Sequence, residues 1–266
     1  MRAELRRRLW FTLRALGIYC AAIVLFEYLL VVVYETLGTQ TLGPVLQMLP
    51  PGIQALLGNE NARLLTPGGF LAFLFMHPFV LVLMSAFPIA FASGALAGEV
   101  ERRTIALILT RPISRRQVAG SVALTMTIGV ATMCAALWGG LAMVTRIRGF
   151  GPINLVAFGW AAASGAAAFW AVGGVALLSS AAASEAGRAG GVSAAFTLAS
   201  YVADYVAKLS PDWRWLKRYS LFAYWDPQGV VARGGVIWSD VAVLLGVAVL
   251  TVLLGIVVFD RRDVAV

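Results

Sequence analysis

The chain has 266 residues, 60% of them hydrophobic and 13% charged, with a mean hydropathy of +0.84 and a formal net charge of +8. A water-soluble domain of this size cannot hide that much apolar surface, so the composition points to an integral membrane protein. The positive charge does not mark a nucleic-acid binder, because the arginines gather at the ends of apolar runs, where membrane topology places them.

Residues 2–16 set Arg2, Arg6, Arg7, Arg8 and Arg14 among Leu5, Leu9, Trp10, Phe11 and Leu13. This pattern predicts a basic amphipathic helix lying on the cytoplasmic surface. The apolar run that follows is too long for a signal-peptide core and has no small-residue cleavage site before Glu35, so it is read as a retained first span, residues 17–36. Residues 37–68 are mixed and interrupted by Pro44, Pro50, Pro51 and Pro67. A short interfacial helix is expected over 49–58, and Thr66-Pro67 has the form of an N-cap followed by proline. The second span is expected over 69–97, kinked at Pro78 and Pro88.

A polar stretch, residues 98–117, separates this run from the next. It opens with Glu99, Glu101, Arg102 and Arg103, continues with Thr104, Ile105, Leu107, Ile108 and Leu109, and closes with Arg111, Arg115 and Arg116. Such a segment is too charged to span a bilayer and too apolar at its centre to rest in water. The pattern predicts a short amphipathic helix at the membrane surface with its aliphatic side on something hydrophobic. Pro112 turns the chain at Arg111, and the S-x-x-Q spacing of Ser114 and Gln117 starts a new helix near Arg115.

The third span is expected over 118–145, ending at Arg146 and Arg148, and the fourth over 154–182. The fourth is rich in small residues, which let helix backbones approach closely, so it is placed in the bundle interior. A linker carrying Glu185 and Arg188 leads to a fifth span, 190–208. In the segment 209–236, Ser210-Pro211-Asp212 and Asp226-Pro227 each begin a short helix. The first carries Trp213 and Trp215, and with Lys208, Arg214, Lys217, Arg218, Tyr219 and Tyr224 it suits the lipid headgroup zone. The sixth span is 237–259. The expected fold is a single all-α membrane domain, residues 1–266, with six transmembrane helices. Cytoplasmic segments then hold 13 Lys and Arg against 8 outside, which favours both termini inside.

The polar stretch also carries a resemblance. Gly98, Glu99, Glu101, Thr104, Ile105, Leu109, Pro112, Ser114 and Arg115 fall on the pattern G-E-x-E-x-x-T-[IL]-x-[LI]-[LI]-L-[ST]-x-P-[IV]-S-R, and the segment resembles the intracellular loop of type 2 ABC exporter permeases. The ending Phe259-Asp260-Arg261-Arg262-Asp263 is similar to the F-x-x-R-D tail of that family, and residues 49–70 carry a weaker likeness. The resemblance implies a permease of the bacterial cytoplasmic membrane, working as a homodimer with two copies of a separate ABC ATPase that bind the ATP and Mg. It implies that Glu99, Glu101, Arg102, Arg103, Thr104, Ile105, Leu107, Ile108, Leu109 and Arg111 contact that ATPase. An amphiphilic drug, peptide or lipid is the class of substrate such exporters carry.

The chain itself lacks catalytic machinery in its motifs. Lys208 and Lys217, its two lysines, stand outside any G-x-x-x-x-G-K-[ST] sequence, so no Walker A is present. His77 is the one histidine, which excludes H-E-x-x-H and bis-histidine metal or haem sites, and it is read as structural. Cys20 and Cys134 both lie in apolar runs and are read as core residues rather than a disulfide. No cofactor or metal is expected in this chain. Among intramembrane carboxylates, Glu27 and Asp204 are candidates for the transport pathway. For Glu27, pathway lining and structural hydrogen bonding remain equally open, and Glu35 is placed at the interface. An ion-coupled secondary transporter using Glu27 and Asp204 is the alternative function. It calls for inverted repeats and broken mid-membrane helices, and neither is evident. A membrane enzyme is disfavoured by the missing motifs.

Overall fold

A computed structural model describes residues 2–48, 66–104, 114–151 and 153–262. Among these residues the chain is predominantly helical and contains no strand. The α-helices are α1 (Arg2–Met48), α2 (Pro67–Met76), α3 (Pro78–Ala95), α4 (Ala97–Glu101), α5 (Arg115–Ile147), α6 (Leu155–Ala182), α7 (Ala186–Leu209), α8 (Pro227–Arg233) and α9 (Trp238–Arg261). Two 3-10 segments, Pro211–Tyr219 and Phe222–Tyr224, stand between α7 and α8.

The N-terminal expectation is corrected. The basic residues 2–16, the apolar run and the residues after it form one helix of 47 residues that continues through Pro44. A single glycine such as Gly17 costs only about 1 kcal/mol in a helix interior, which does not break a run of good helix formers. At 1.5 Å per residue this helix is about 70 Å long, over twice the roughly 30 Å of a bilayer's hydrocarbon core. Its membrane-length apolar stretch is Leu13–Thr36. The short helix expected over 49–58 lies outside the described residues.

The second span is also not one kinked helix. It divides into α2, α3 and α4, with breaks at His77 and Leu96. The residue before a proline is steered away from the helical region, and His77 is extended, with φ −61° and ψ 133°. Its ring does structural work there: Nδ1 accepts the Phe79 N–H at 3.2 Å, capping the first turn of α3. Pro88 sits inside α3 without ending it. Thr66 caps α2 as expected, accepting the Gly69 N–H at 3.1 Å, with Pro67 at the first position.

Five described helices are long and apolar enough to cross a membrane: Leu13–Thr36 of α1, Pro78–Glu101, α5, α6 and α9. The expected fifth span forms as the 24-residue helix α7 but is not among them. Arg188, Asp204 and Lys208, with the Gly, Ser, Thr and Tyr between them, hold its hydropathy down. The small-residue helix α6 is the most buried of the five, with 72% of its apolar window covered against 17–50% in the others.

The chain gathers into two compact units. The first holds Met1–Met84, Ala131–Ala162 and Pro227–Gly235. Aromatic contacts knit it: Tyr34 lies 4.7 Å from Phe70 and 5.3 Å from Phe150, and Phe75 lies 5.6 Å from Phe158, between ring centres. Glu35 pairs with Arg148, whose Nε donates at 2.9 Å, joining α1 to the residue just past α5. This carboxylate favours the charged guanidinium and pushes the Arg148 pKa further up. Helix α8 packs on α2.

The second unit holds Ser85–Val130, Ala163–Asp226 and Val236–Val266. Its core brings together Ala92 and Leu96, Ala119, Val122 and Met126 of α5, Ala176, Leu177 and Ala181 of α6, and Val252 and Phe259 of α9. Glycines set the spacing. A Cβ on Gly174 would meet Thr251 Oγ1 at 2.2 Å and the Ala248 carbonyl at 3.1 Å. The 3-10 segment Pro211–Tyr219 is capped by Ser210, which accepts the Asp212 N–H at 3.4 Å, and none of its residues is buried. Beyond it the chain turns inward. Ser220 donates to the Ser200 carbonyl at 2.7 Å, the Leu221 N–H donates to Ser200 Oγ at 2.7 Å, and Trp225 is buried against Phe169.

The polar segment and the membrane carboxylates

The polar segment begins where α3 breaks at Leu96. Helix α4 is five residues long and ends in a Schellman motif: Thr104 N–H donates to the Glu99 carbonyl at 3.0 Å and Arg103 N–H to the Val100 carbonyl at 3.0 Å. The residue at the left-handed position is Arg103, with φ 57°, where glycine is the usual choice. Glu99 is buried. Its carboxylate accepts the Thr104 hydroxyl and pairs with Arg102 at 3.5 Å. The Glu99–Thr104 spacing therefore folds the turn back on itself. Glu101 Oε2 accepts the Ala186 N–H at 2.9 Å, supplying an acceptor for an orphan donor at the start of α7. Arg102 and Arg103 are exposed. Ile105, Leu107, Ile108, Leu109 and Arg111 lie outside the described residues.

The chain returns at Ser114 in the expected capping box. Ser114 N–H donates to Gln117 Oε1 at 2.9 Å, and Gln117 N–H donates to Ser114 Oγ at 3.2 Å. The first turn of α5 is then tied to the end of α9: Arg116 Nε meets Asp260 Oδ2 at 2.7 Å, and Arg115 donates to the main-chain carbonyl of Arg262. The guanidinium of Arg262 turns the other way. It donates to the carbonyls of Ala181 (3.1 Å) and Ala183 (2.6 Å) and to Ser184 Oγ (2.7 Å), capping the end of α6.

Two residues that composition did not single out complete this node. Ser180, fully buried in the last turn of α6, donates to the Ala92 carbonyl at 2.7 Å and accepts the Ala97 N–H at 3.0 Å, so it bridges the break between α3 and α4. Arg262 is the other. Its place in the F-x-x-R-D tail was a signal, but its partners were not legible from spacing. The two flanks of the polar segment thus reach the same short stretch, residues 180–186.

The carboxylates differ in their surroundings. Glu27 is fully buried in α1, and neither oxygen has a hydrogen-bond partner among the described residues. It occupies the notch left by Gly140 of α5, where a Cβ would stand 2.3 Å from Glu27 Oε2 and 2.7 Å from Val24 Cγ2. Asp204 is buried in α7, and its Oδ2 meets Lys208 at 2.8 Å one turn on. Glu27 belongs to the first unit and Asp204 to the second. Cys20 and Cys134 are free thiols.

Five apolar helices of membrane length, joined by short helices and by a polar segment clamped at both flanks, define a multi-pass helical membrane protein. The sequence model described as ABC-2 family transporter protein matches residues 13–264, and the chain belongs to that family. It is thereby an ABC permease, a membrane subunit of a class that associates with ABC ATPase partners. No curated protein matches the chain.

Proposed function

We propose that this permease is the translocation subunit of an ATP-driven exporter. Two copies form the pathway in a bacterial cytoplasmic membrane, with both termini and residues 98–117 inside, and two ATPase subunits dock below them. ATP and Mg bind to those subunits. ATP binding draws the ATPases together, and the polar segment carries that movement into the helices. The observation that supports this reading is the clamping of the segment's flanks, through Ser180 and Glu101 on one side and through Arg115, Arg116 and Arg262 on the other. A loop with no mechanical task has no need of such fixing at both ends.

Within the segment, the acids and the aliphatics divide the work. Glu99 and Glu101 hold the root, each through an internal partner. Arg102, Arg103 and Arg111 offer charge to the ATPase, and Ile105, Leu107, Ile108 and Leu109 fill a groove on it. Each large side chain buried there contributes about 1.5–3 kcal/mol. Glu27 is the pathway carboxylate of this reading, and Asp204 serves as a local partner of Lys208. The cargo is an amphiphilic drug, peptide or lipid.

Leu107→Asp tests the docking. A charge left unpaired in an apolar contact costs several kcal/mol, so the variant loses co-purification of the ATPase and stimulation of its activity while the permease still inserts. Binding and stimulation unchanged in Leu107→Asp, and also in Ile105→Asp and Ile108→Asp, overturn the reading.

A further inference from the structure

The node at residues 180–186 holds a side chain whose task goes beyond helix capping. We propose that Arg262 is a positioning residue for coupling, a clasp that locks the exit of the polar segment to the end of α6 so that the segment and the α6–α7 junction move together. This rests on the reading of residues 98–117 as the ATPase-contacting element.

A cation at a helix C-terminus satisfies carbonyls that have no partner within the helix. Arg262 does this for α6 through Ala181, Ala183 and Ser184. At the same time its own carbonyl accepts from Arg115, and Asp260, two residues earlier, holds Arg116. Phe259 anchors the tail from the other direction. It is fully buried among Ala119 and Val122 of α5 and Leu177 and Ala181 of α6. Three residues of the tail, Phe259, Asp260 and Arg262, thus grip the start of α5 and the last turn of α6 at once.

The entrance arm reaches the same place. Ser180 bridges Ala92 and Ala97, and Glu101 holds the amide of Ala186. A displacement applied between Thr104 and Ser114 therefore arrives at residues 180–186 along two routes. One runs through α4, the other through α5 and the tail. Charge-assisted, multiply bonded contacts are short and directional, and so they carry displacement rather than yield to it. If the Arg262 side chain is removed, the exit route loses its polar bonds to the end of α6 and keeps only the apolar packing around Phe259. A simple cap would only stabilise the end of α6, so the two roles differ in how the junction responds to nucleotide.

Hydrogen exchange on the purified permease–ATPase complex in lipid nanodiscs, with and without ATP and vanadate, reads this difference. In the natural protein nucleotide changes exchange in residues 97–118 and in residues 174–195. In Arg262→Ala the change at 97–118 is kept and the change at 174–195 shrinks to what the entrance arm carries, while Arg262→Lys, which keeps the charge but not the fork, shows a smaller reduction. An Arg262→Ala complex whose 174–195 response equals that of the natural protein overturns the proposal. If Arg262→Ala does not fold, the exposed Arg116–Asp260 pair gives the answer. Arg116→Asp and Asp260→Arg each weaken the 174–195 response, and the two together restore it. A double variant no better than either single one overturns the clasp. No nucleotide response at 97–118 in the natural protein overturns the ATPase reading, and the clasp with it.

Discussion

Replacing Glu27 with methionine should make this membrane protein more stable and less active. Both carboxyl oxygens lie buried with no hydrogen-bond partner among the described residues. A buried polar group left unsatisfied costs about 1–3 kcal/mol, and replacing it with an apolar group of similar shape returns that cost. Methionine is unbranched like glutamate and adapts to irregular gaps, so it fits the notch at Gly140. Glu27→Met should therefore raise stability by about 1–3 kcal/mol, read as a higher midpoint of thermal unfolding in detergent. Glu27→Gln keeps a polar head in the same place and should leave the midpoint near its natural value. If the carboxylate is kept for transport, both variants export less cargo while still recruiting the ATPase. A lower midpoint in Glu27→Met, with an unchanged one in Glu27→Gln, would show that the carboxyl has a structural hydrogen bond and would refute the reasoning. Gly140→Ala gives an independent check. Its Cβ would press on Glu27 Oε2 at 2.3 Å, and pairing it with Glu27→Ala should recover part of its cost as a positive coupling of about 0.5–3 kcal/mol. Val24 Cγ2, 2.7 Å from that Cβ, accounts for what is not recovered.

Other sites give sharper yes-or-no outcomes. Gly174→Ala forces a methyl against Thr251 Oγ1 and the Ala248 backbone and should cost about 1–3 kcal/mol; Gly139→Ala, with nothing within 4 Å of its Cβ, should cost nothing, and equal thermal midpoints for the two would contradict the packing argument. Arg103→Gly removes a left-handed arginine and should tighten the turn by about 1–2 kcal/mol, seen as slower amide exchange at Thr104, while weakening ATPase binding; faster exchange there would count against the Schellman geometry. For topology, on a background lacking Cys20 and Cys134, an impermeant thiol reagent applied to intact cells should label Lys217→Cys and spare Arg103→Cys, and the reverse pattern would invert the orientation.

What the sequence made legible follows the range of the interactions involved. Caps read true because they are local. The Thr66, Ser114–Gln117 and Ser210 motifs each depend on residues within three positions, and each forms where the spacing places it. The interior position of the small-residue helix was legible for a similar reason, since absent side chains leave one dominant use, close approach. Boundaries set by competing weak preferences were not. The basic N-terminal residues and the first span read as two elements because their compositions differ, yet nothing between Arg2 and Met48 breaks a helix strongly enough to separate them. Pro78 and Pro88 look alike in sequence. One ends a helix and the other lies inside one, and the difference is that His77 supplies a cap for a new start. Asp204 looked like an intramembrane acid awaiting a ligand, but Lys208 at the next turn pairs with it.

The polar segment shows most clearly where pattern and task part company. Its acids stood out as charges available to a partner because charge is what a sequence displays. In the folded chain Glu99 is taken up by Thr104 and Arg102, and one oxygen of Glu101 accepts the first amide of α7. Glu99 is buried by this, while Glu101 stays exposed with one oxygen on the Ala186 amide. A carboxylate that folds its own turn fixes where the following residues emerge, and that matters more to a docking element than one additional exposed charge, since exposed ion pairs contribute little. The long-range partners, Ser180 with the α3–α4 break and Arg262 with the end of α6, join residues about 80 positions apart, a separation at which no spacing rule operates. The motif therefore announced that the segment is special. Only the packing of α6 against its neighbours shows that both of its ends are held at one place.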